Sequence, residues 1–424
     1  MIYRGFDKEV GIMSRMIKGL VPLLASFVLI AGFAHAQADK PLAPGWLSLD
    51  SSVGLLDKSI GDGKSALEKP LGISISGFLD TSYTWSSNRP KSPSNITGRY
   101  FDKDQNKIVF NYFHLALEKP EKDLGVGLRI SGDFGRGGEL LREATFYGTN
   151  KLPGAGNGGE PSAELREAYL TTTIPLGEGI GVKGGLFVTT LGTEILPNPG
   201  AYNDNISRSF LFNAAIPLRH LGMLFSYPIH KVFSINAGVV TGWDDPHDKN
   251  RQPSGMWGFS FTPADQFGLV SSFIYGPEQF NNNGNKRFTM SHVATIKPFD
   301  PLALVVEYTY GHEEKASLGG TRDATWQGLA AIVSYGWTDR FTTALRGEWF
   351  NDRDGSRLGG DFAGTHANVA VGEVTLTGAY KFTKMLLGRV EVRQDWSDRR
   401  FYQRGATNGD KNQTTLALQL TYTF

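Results

Sequence analysis

The sequence predicts an all-β fold, a transmembrane antiparallel β-barrel of about 16 strands with short periplasmic turns and long extracellular loops. Three observations carry this. Apolar and polar residues alternate with a period of two over segments long enough to cross a bilayer. The connections between those segments are short and long by turns. No stretch beyond the N-terminal region approaches the roughly 20 apolar residues of a membrane helix.

Taken from the N-terminus, residues 1–36 read as a signal peptide. Arg15 and Lys18 precede an apolar run that is too short to anchor permanently, and Ala34 and Ala36 supply the small-x-small pattern of a cleavage site. Cleavage is expected after Ala36, with Ala38 as the alternative. Asp7 and Glu9 suit such a region poorly, so Met13 or Met16 would be a cleaner start. Residues 37–70 are expected to form a periplasmic N-terminal extension, with a partial plug of the lumen as the alternative. Trp46, Leu49, Val53, Leu56 and Ile60 have helical spacing there, but Gly54, Gly61 and Gly63 weaken a helix. The barrel itself is assigned to residues 71–424.

Candidate strands lie near 73–85, 107–118, 124–134, 163–174, 180–190, 219–227, 232–243, 255–262, 266–275, 286–297, 301–311, 324–336, 339–350, 371–382, 385–396 and 412–424. The last is the clearest. Leu416, Leu418, Leu420, Tyr422 and Phe424 alternate with Thr415, Ala417, Gln419, Thr421 and Thr423, and lipid can cover the apolar face directly. The strand before it carries Arg389, Glu391 and Arg393 in mid-strand on its other face, which a barrel turns toward the lumen. Two strands, 107–118 and 324–336, alternate imperfectly, and His292 falls on the apolar parity; a bulge would account for each. Aromatics sit where interfacial girdles belong: Tyr227, Phe261, Trp337, Phe382 and Tyr422 near short turns, and Trp85, Trp243, Trp257, Tyr310, Trp349 and Trp396 near long loops.

Composition excludes several classes. With no cysteine there is no disulfide, thiolate metal site or c-type haem attachment. Lys and Arg number 43 against 42 Asp and Glu, which gives no basis for nucleic-acid binding.

Three stretches resemble the OmpL-like β-barrel porin family: 75–83 (ISGFLDTSY), 111–117 followed by a glycine-rich strand to Phe134, and 207–212 (SRSFLF) leading to Pro217 and Gly222. The resemblance spans most of residues 72–424. It implies an outer-membrane channel, and that family defines no catalytic residues to carry over. The aromatics Tyr422 and Phe424 resemble the terminal assembly signal of outer-membrane barrels, which makes the barrel-assembly machinery an expected partner.

The expected function is a porin: a water-filled channel in the bacterial outer membrane for passive diffusion of small hydrophilic solutes and ions, with lipid as its surroundings and a homotrimer as one assembly. The alternatives are a substrate-specific channel and a structural or adhesive surface barrel with a plugged lumen. The third outer loop, 191–218, stands where a loop would fold back into the channel, and it carries Glu194, Asp204 and Arg208. Lumen parity adds Arg129, Arg346, Arg389 and Arg393, so the expected constriction sets the loop carboxylates against a basic wall. Glu118, Asp133, Glu307, Glu348 and Glu391 share the lumen. Asp244, Asp245, His247 and Asp248 are a weak candidate for a divalent cation, as is the run Asp352, Asp354, Gly355; the stronger expectation is no metal and no cofactor. Catalysis is not expected, since a lipid-facing hydrolase would need a serine and histidine together on the outer wall, where only His292, with Ser271 on a neighbouring strand, qualifies.

Overall fold

A computed structural model describes residues 72–91, 95–121, 125–146, 162–199 and 201–424. The signal peptide and the 37–70 extension expected from the sequence lie outside the described residues. Sixteen strands close into one antiparallel barrel. They are β1 (Ser74–Ser86), β2 (Ile108–Lys119), β3 (Gly127–Gly135), β4 (Ser162–Ile174), β5 (Ile180–Val188), β6 (Arg219–His230), β7 (Phe233–Val240) and β8 (Ser254–Ala264). Around the ring follow β9 (Phe267–Gly276), β10 (Arg287–Phe299), β11 (Leu302–Glu313), β12 (Ala324–Gly336), β13 (Phe341–Asp352), β14 (Val369–Lys381), β15 (Leu386–Ser397) and β18 (Asn412–Thr423). A small hairpin, β16 (Tyr402–Arg404) with β17 (Asn408–Asp410), stands in the last outer loop.

Closure is made by β1 against β18, in a register that runs from Phe78 opposite Thr423 to Ser86 opposite Thr415. A closed ring leaves no strand edge, so every backbone group at membrane depth finds its partner within the sheet. At the seam Gly77 exchanges two backbone hydrogen bonds of 3.0 Å with Phe424. A Cβ on Gly77 would stand 2.5 Å from the Phe424 ring and 2.6 Å from the His114 carbonyl, so the seam requires glycine there.

Parity sorts the side chains as expected. Leu416, Leu418, Leu420 and Val390 are exposed on the outer wall, whereas Arg389, Glu391, Arg393 and Asp395 point inward and are buried. β2 carries its expected bulge, opposite Asp80 and Thr81. Two irregularities have other causes. β12 pairs without a register shift on either side; its lumen-facing Trp326 and Ile332 are apolar because apolar residues face them inside the barrel. β10 is also in continuous register at His292, which faces outward and bonds Ser271 Oγ through Nδ1 at 2.8 Å. Trp243, assigned from sequence to the outer girdle, is instead turned inward and buried, with Arg287 and Arg357 over its ring at 4.8 and 4.9 Å.

The lumen is not an empty tube. The third outer loop, residues 189–218, folds inside it and supplies much of a buried apolar cluster with Trp243, Trp326, Phe350, Val371 and Tyr402. A helix, α1 (Arg136–Phe146), which sequence periodicity did not suggest, packs in the second outer loop with Leu140 and Leu141 buried.

Candidate functional site: the inward loop and the channel waist

The third loop leaves β5 at Val188, and its neck is closed by Thr189 N–H donating to Leu218 C=O at 2.9 Å. Having no neighbouring strand, its buried backbone groups must find partners elsewhere. Wall carboxylates accept its N–H groups. Glu391 accepts from Ile206 and Ser207 at 2.6 and 3.0 Å, Glu348 from Phe210 and Leu211 at 2.6 and 2.7 Å, and Glu307 from Thr193 at 2.9 Å. In the fourth outer loop Asp244 accepts from Leu218 and Arg219 at 2.7 and 3.0 Å. Wall arginines satisfy its carbonyls: Arg346 donates to Ser207 at 2.7 Å, Arg393 to Arg208 at 2.6 Å and Arg389 to Asn203 at 2.5 Å. Charge-assisted bonds of this kind are roughly twice as strong as neutral ones, so a few wall side chains anchor the loop without a strand neighbour. On its apolar side a π-helical turn, Leu211–Ala215, lies against β12. Gly328 gives it room, since a Cβ there would meet Leu211 Cδ2 at 2.6 Å.

The groups named from sequence fall into distinct environments. Glu194 pairs directly with Arg346 at 2.8 Å and accepts from Ser209 N–H at 2.8 Å. Arg346 also bonds Glu373 at 2.6 Å, and Arg393 bonds Asp395 at 2.6 Å; both arginines are fully buried under the loop. Asp204 accepts from Ser334 Oγ. Arg129 pairs with Glu118 at 2.6 Å and Glu167 at 2.8 Å, nearer the periplasmic turns. Arg208 and Arg389 are buried, with no ion pair to either among the described residues. The expected basic wall is thereby divided: Arg346 and Arg393 are neutralised anchors, and Arg389 keeps its charge unpaired beside Arg208.

The loop tip separates two clefts, and both are lined by Tyr202 and Asn203. One, with a free volume of about 40 Å³, is bounded by Asp80, Arg208, Arg389 and Gln419. The other, of about 60 Å³, is bounded by Glu194, Asp204, Thr295 and Ile332. Asp80, which sequence reasoning missed, sits on lumen parity in the 75–83 stretch; it accepts from Asn111 at 2.6 Å, Gln419 at 3.0 Å and Thr421 at 2.7 Å. A second missed network joins Asp133 to His114 and Arg166, each at 2.7 Å, and Arg166 in turn holds the Pro197 carbonyl. Its only sequence signal was the lumen parity of Asp133.

The weak metal candidates serve as turn caps. Asp245 accepts from His247 and Lys249 N–H at 3.0 Å each, and Asp352 from Ser356, Arg357 and Leu358. No group of three or more potential ligands is placed to hold a metal ion among the described residues. In the outer loops, burial pushes the Asp244 carboxyl up to about 6 against the backbone bonds it accepts, and the Glu278 carboxyl up to about 7. Glu278 accepts from Trp243 N–H at 2.7 Å and Ser254 Oγ at 2.6 Å, which ties the fourth loop to the fifth. In the outer-wall pair of His292 and Ser271, Ser271 is buried, and among the described residues no carboxylate is bonded to the His292 ring.

Comparison with known proteins places this geometry. The family model described as "Putative beta-barrel porin-2, OmpL-like" matches residues 72–424. No curated protein sequence matches the chain. Among solved structures, the outer-membrane channel DcaP of Acinetobacter baumannii is similar, with a TM-score of 0.55 at 14% identity over 83% of this chain and 97% of that one. The anion-selective porin of Comamonas acidovorans gives 0.54 at 11% identity, covering 83% and 99%. OmpT of Vibrio cholerae in its trimer form gives 0.53 at 12% identity, again covering 83% and 99%.

Proposed function

Because this chain belongs to the OmpL-like β-barrel porin family and is a channel of the bacterial outer membrane, we propose that it passes small hydrophilic solutes and ions by passive diffusion. The observation that carries this is the waist of the barrel, where an inward loop leaves a cleft on either side of Tyr202 and Asn203, one lined by Asp80, Arg208 and Arg389 and the other by Glu194 and Asp204. Such a lining lets a hydrated solute exchange water for side-chain contacts as it passes. The narrowness of the two clefts favours, as a second reading, a channel selective for one class of solute over a wide general pore. A homotrimer is the assembly we propose, supported by the trimer form of the similar OmpT. The barrel-assembly machinery is the proposed reader of Tyr422 and Phe424, and we assign no catalytic role to any residue.

Single-channel recording of the purified protein in a planar bilayer tests the proposal. Discrete, ohmic current steps in potassium chloride are expected. A folded, heat-modifiable protein that inserts and stays silent would instead be the structural barrel with a plugged lumen.

A further inference from the structure

We propose that the cleft between β1 and the tip of the third loop binds the carboxylate of a small monoanionic solute, held by Arg208 and Arg389. The inference deepens the diffusion-channel reading by naming the class of solute that pauses at the waist.

Both guanidiniums are more than nine-tenths buried, at 6% exposure each, and both line the same cleft. Each carries five donors, and few are engaged. Arg208 Nη1 makes one long bond of 3.3 Å to the Ile206 carbonyl, and Arg389 Nη1 reaches the carbonyls of Asn203 and Asn205 at 2.5 and 3.5 Å. The Nε of each is buried without a hydrogen-bond partner. Stranding a charged donor in this way is expensive unless an anion comes to it. Elsewhere in the lumen the barrel supplies that anion itself, as Glu373 does for Arg346 and Asp395 does for Arg393.

Asp80 lines the same cleft without reaching either arginine, because three neutral donors hold its oxygens. Asp102, also in the lining, is paired with Arg99. Within the lining, two guanidiniums against Asp80 leave one positive charge in excess, which suits a monoanion, and a second negative charge would meet Asp80. Glu391, the other carboxylate near Arg389, lies outside the lining and is taken up by the Ile206 and Ser207 amides. The free volume of about 40 Å³ is roughly three times what one water needs, which is room for a carboxylate and a water. Arg389 lies over the Tyr202 ring at 6.0 Å and Arg208 over the Phe212 ring at 5.6 Å, so aromatic faces hold both cations in place.

Saturation-transfer NMR on the full-length folded protein in detergent, with propionate as the probe, measures the site without relying on conduction. Propionate should bind, neutral propionamide should not, and dianionic malonate should bind more weakly than propionate. Arg208→Gln should weaken propionate about tenfold, the loss expected for one charge-assisted contact. Since Arg208 holds only its own loop, this variant keeps the test clean if Arg389→Gln misfolds. Equal signals from propionate and propionamide, or undiminished propionate binding in Arg208→Gln, would overturn the assignment. Propionate binding by a barrel that carries no current would sink the channel reading and leave this one standing.

Discussion

The two faces of the loop tip share Tyr202 and Asn203 and yet present opposite chemistry. Toward β10–β12 the charged groups are engaged: Glu194 lies against Arg346 and the Ser209 amide, and Asp204 against Ser334. Toward β1, β15 and β18, Arg208 and Arg389 keep unpaired donors. All of these groups are inside the barrel. The difference teaches that lumen parity decides which side of the wall a charge is on, and that its partners decide whether a passing solute meets it.

The largest expected effect comes from abolishing the comparison by releasing the tip. Glu391→Ala strands the Ile206 and Ser207 amides, at about 1–3 kcal/mol for each buried donor left unmade. The barrel should still close, because its ladders are untouched, while the loop becomes sensitive to protease within 189–218 and the single-channel conductance rises. A loop that stays protected in this variant would mean that the other anchors suffice.

A smaller effect sharpens the comparison. Arg389→Gln should move the reversal potential toward cations in low salt, where screening is weakest, and Arg393→Gln should move it less, because Arg393 lines neither cleft and Arg99 stays paired at 2.9 Å with the Asp395 it leaves. Equal shifts from the two variants would show that a bonded arginine still sets the field. Parity alone ranks these arginines equally.

The smallest effect lies above the waist, in the loops around Trp243. Asp244 and Glu278 are raised by burial to about 6 and about 7, so the folded cluster holds protons that the unfolded chain releases. Its stability is therefore fullest at the acid end of the interval between the ordinary carboxyl range and those values, and falls as pH rises through them. Hydrogen exchange at the Trp243 amide, corrected for intrinsic rates, should be slower near pH ~5 than near pH ~8. Glu278→Gln should flatten that difference.

Much of the fold was legible because a period of two is local information. The sixteen segments, the alternation of short and long connections and the outward set Leu416, Leu418 and Leu420 all follow from residues within one strand or its turn. The candidate site was legible in membership and not in state. Arg346 and Glu194, Arg389 and Arg208 were all placed in the lumen, but nothing in the spacing distinguishes an arginine that meets Glu373 from one that meets no carboxylate. The helix Arg136–Phe146, the hairpin of β16 and β17 and the inward turn of Trp243 escaped the sequence pattern, since each is held by contacts with distant loops. Tyr100 Oη, for one, donates to the Leu140 carbonyl at 2.8 Å.

By itself the sequence determined that the chain forms a closed, lipid-facing barrel with a charged interior, because alternation and turn chemistry act between near neighbours. The third loop was expected inside the channel from its place in the order of connections; only the tertiary structure decided which charges that loop neutralises and which it leaves without a partner. A loop without strand neighbours takes its hydrogen bonds from whatever wall it meets, and that wall is assembled from strands more than a hundred residues away, as with Phe210 on Glu348 and Ser207 on Glu391.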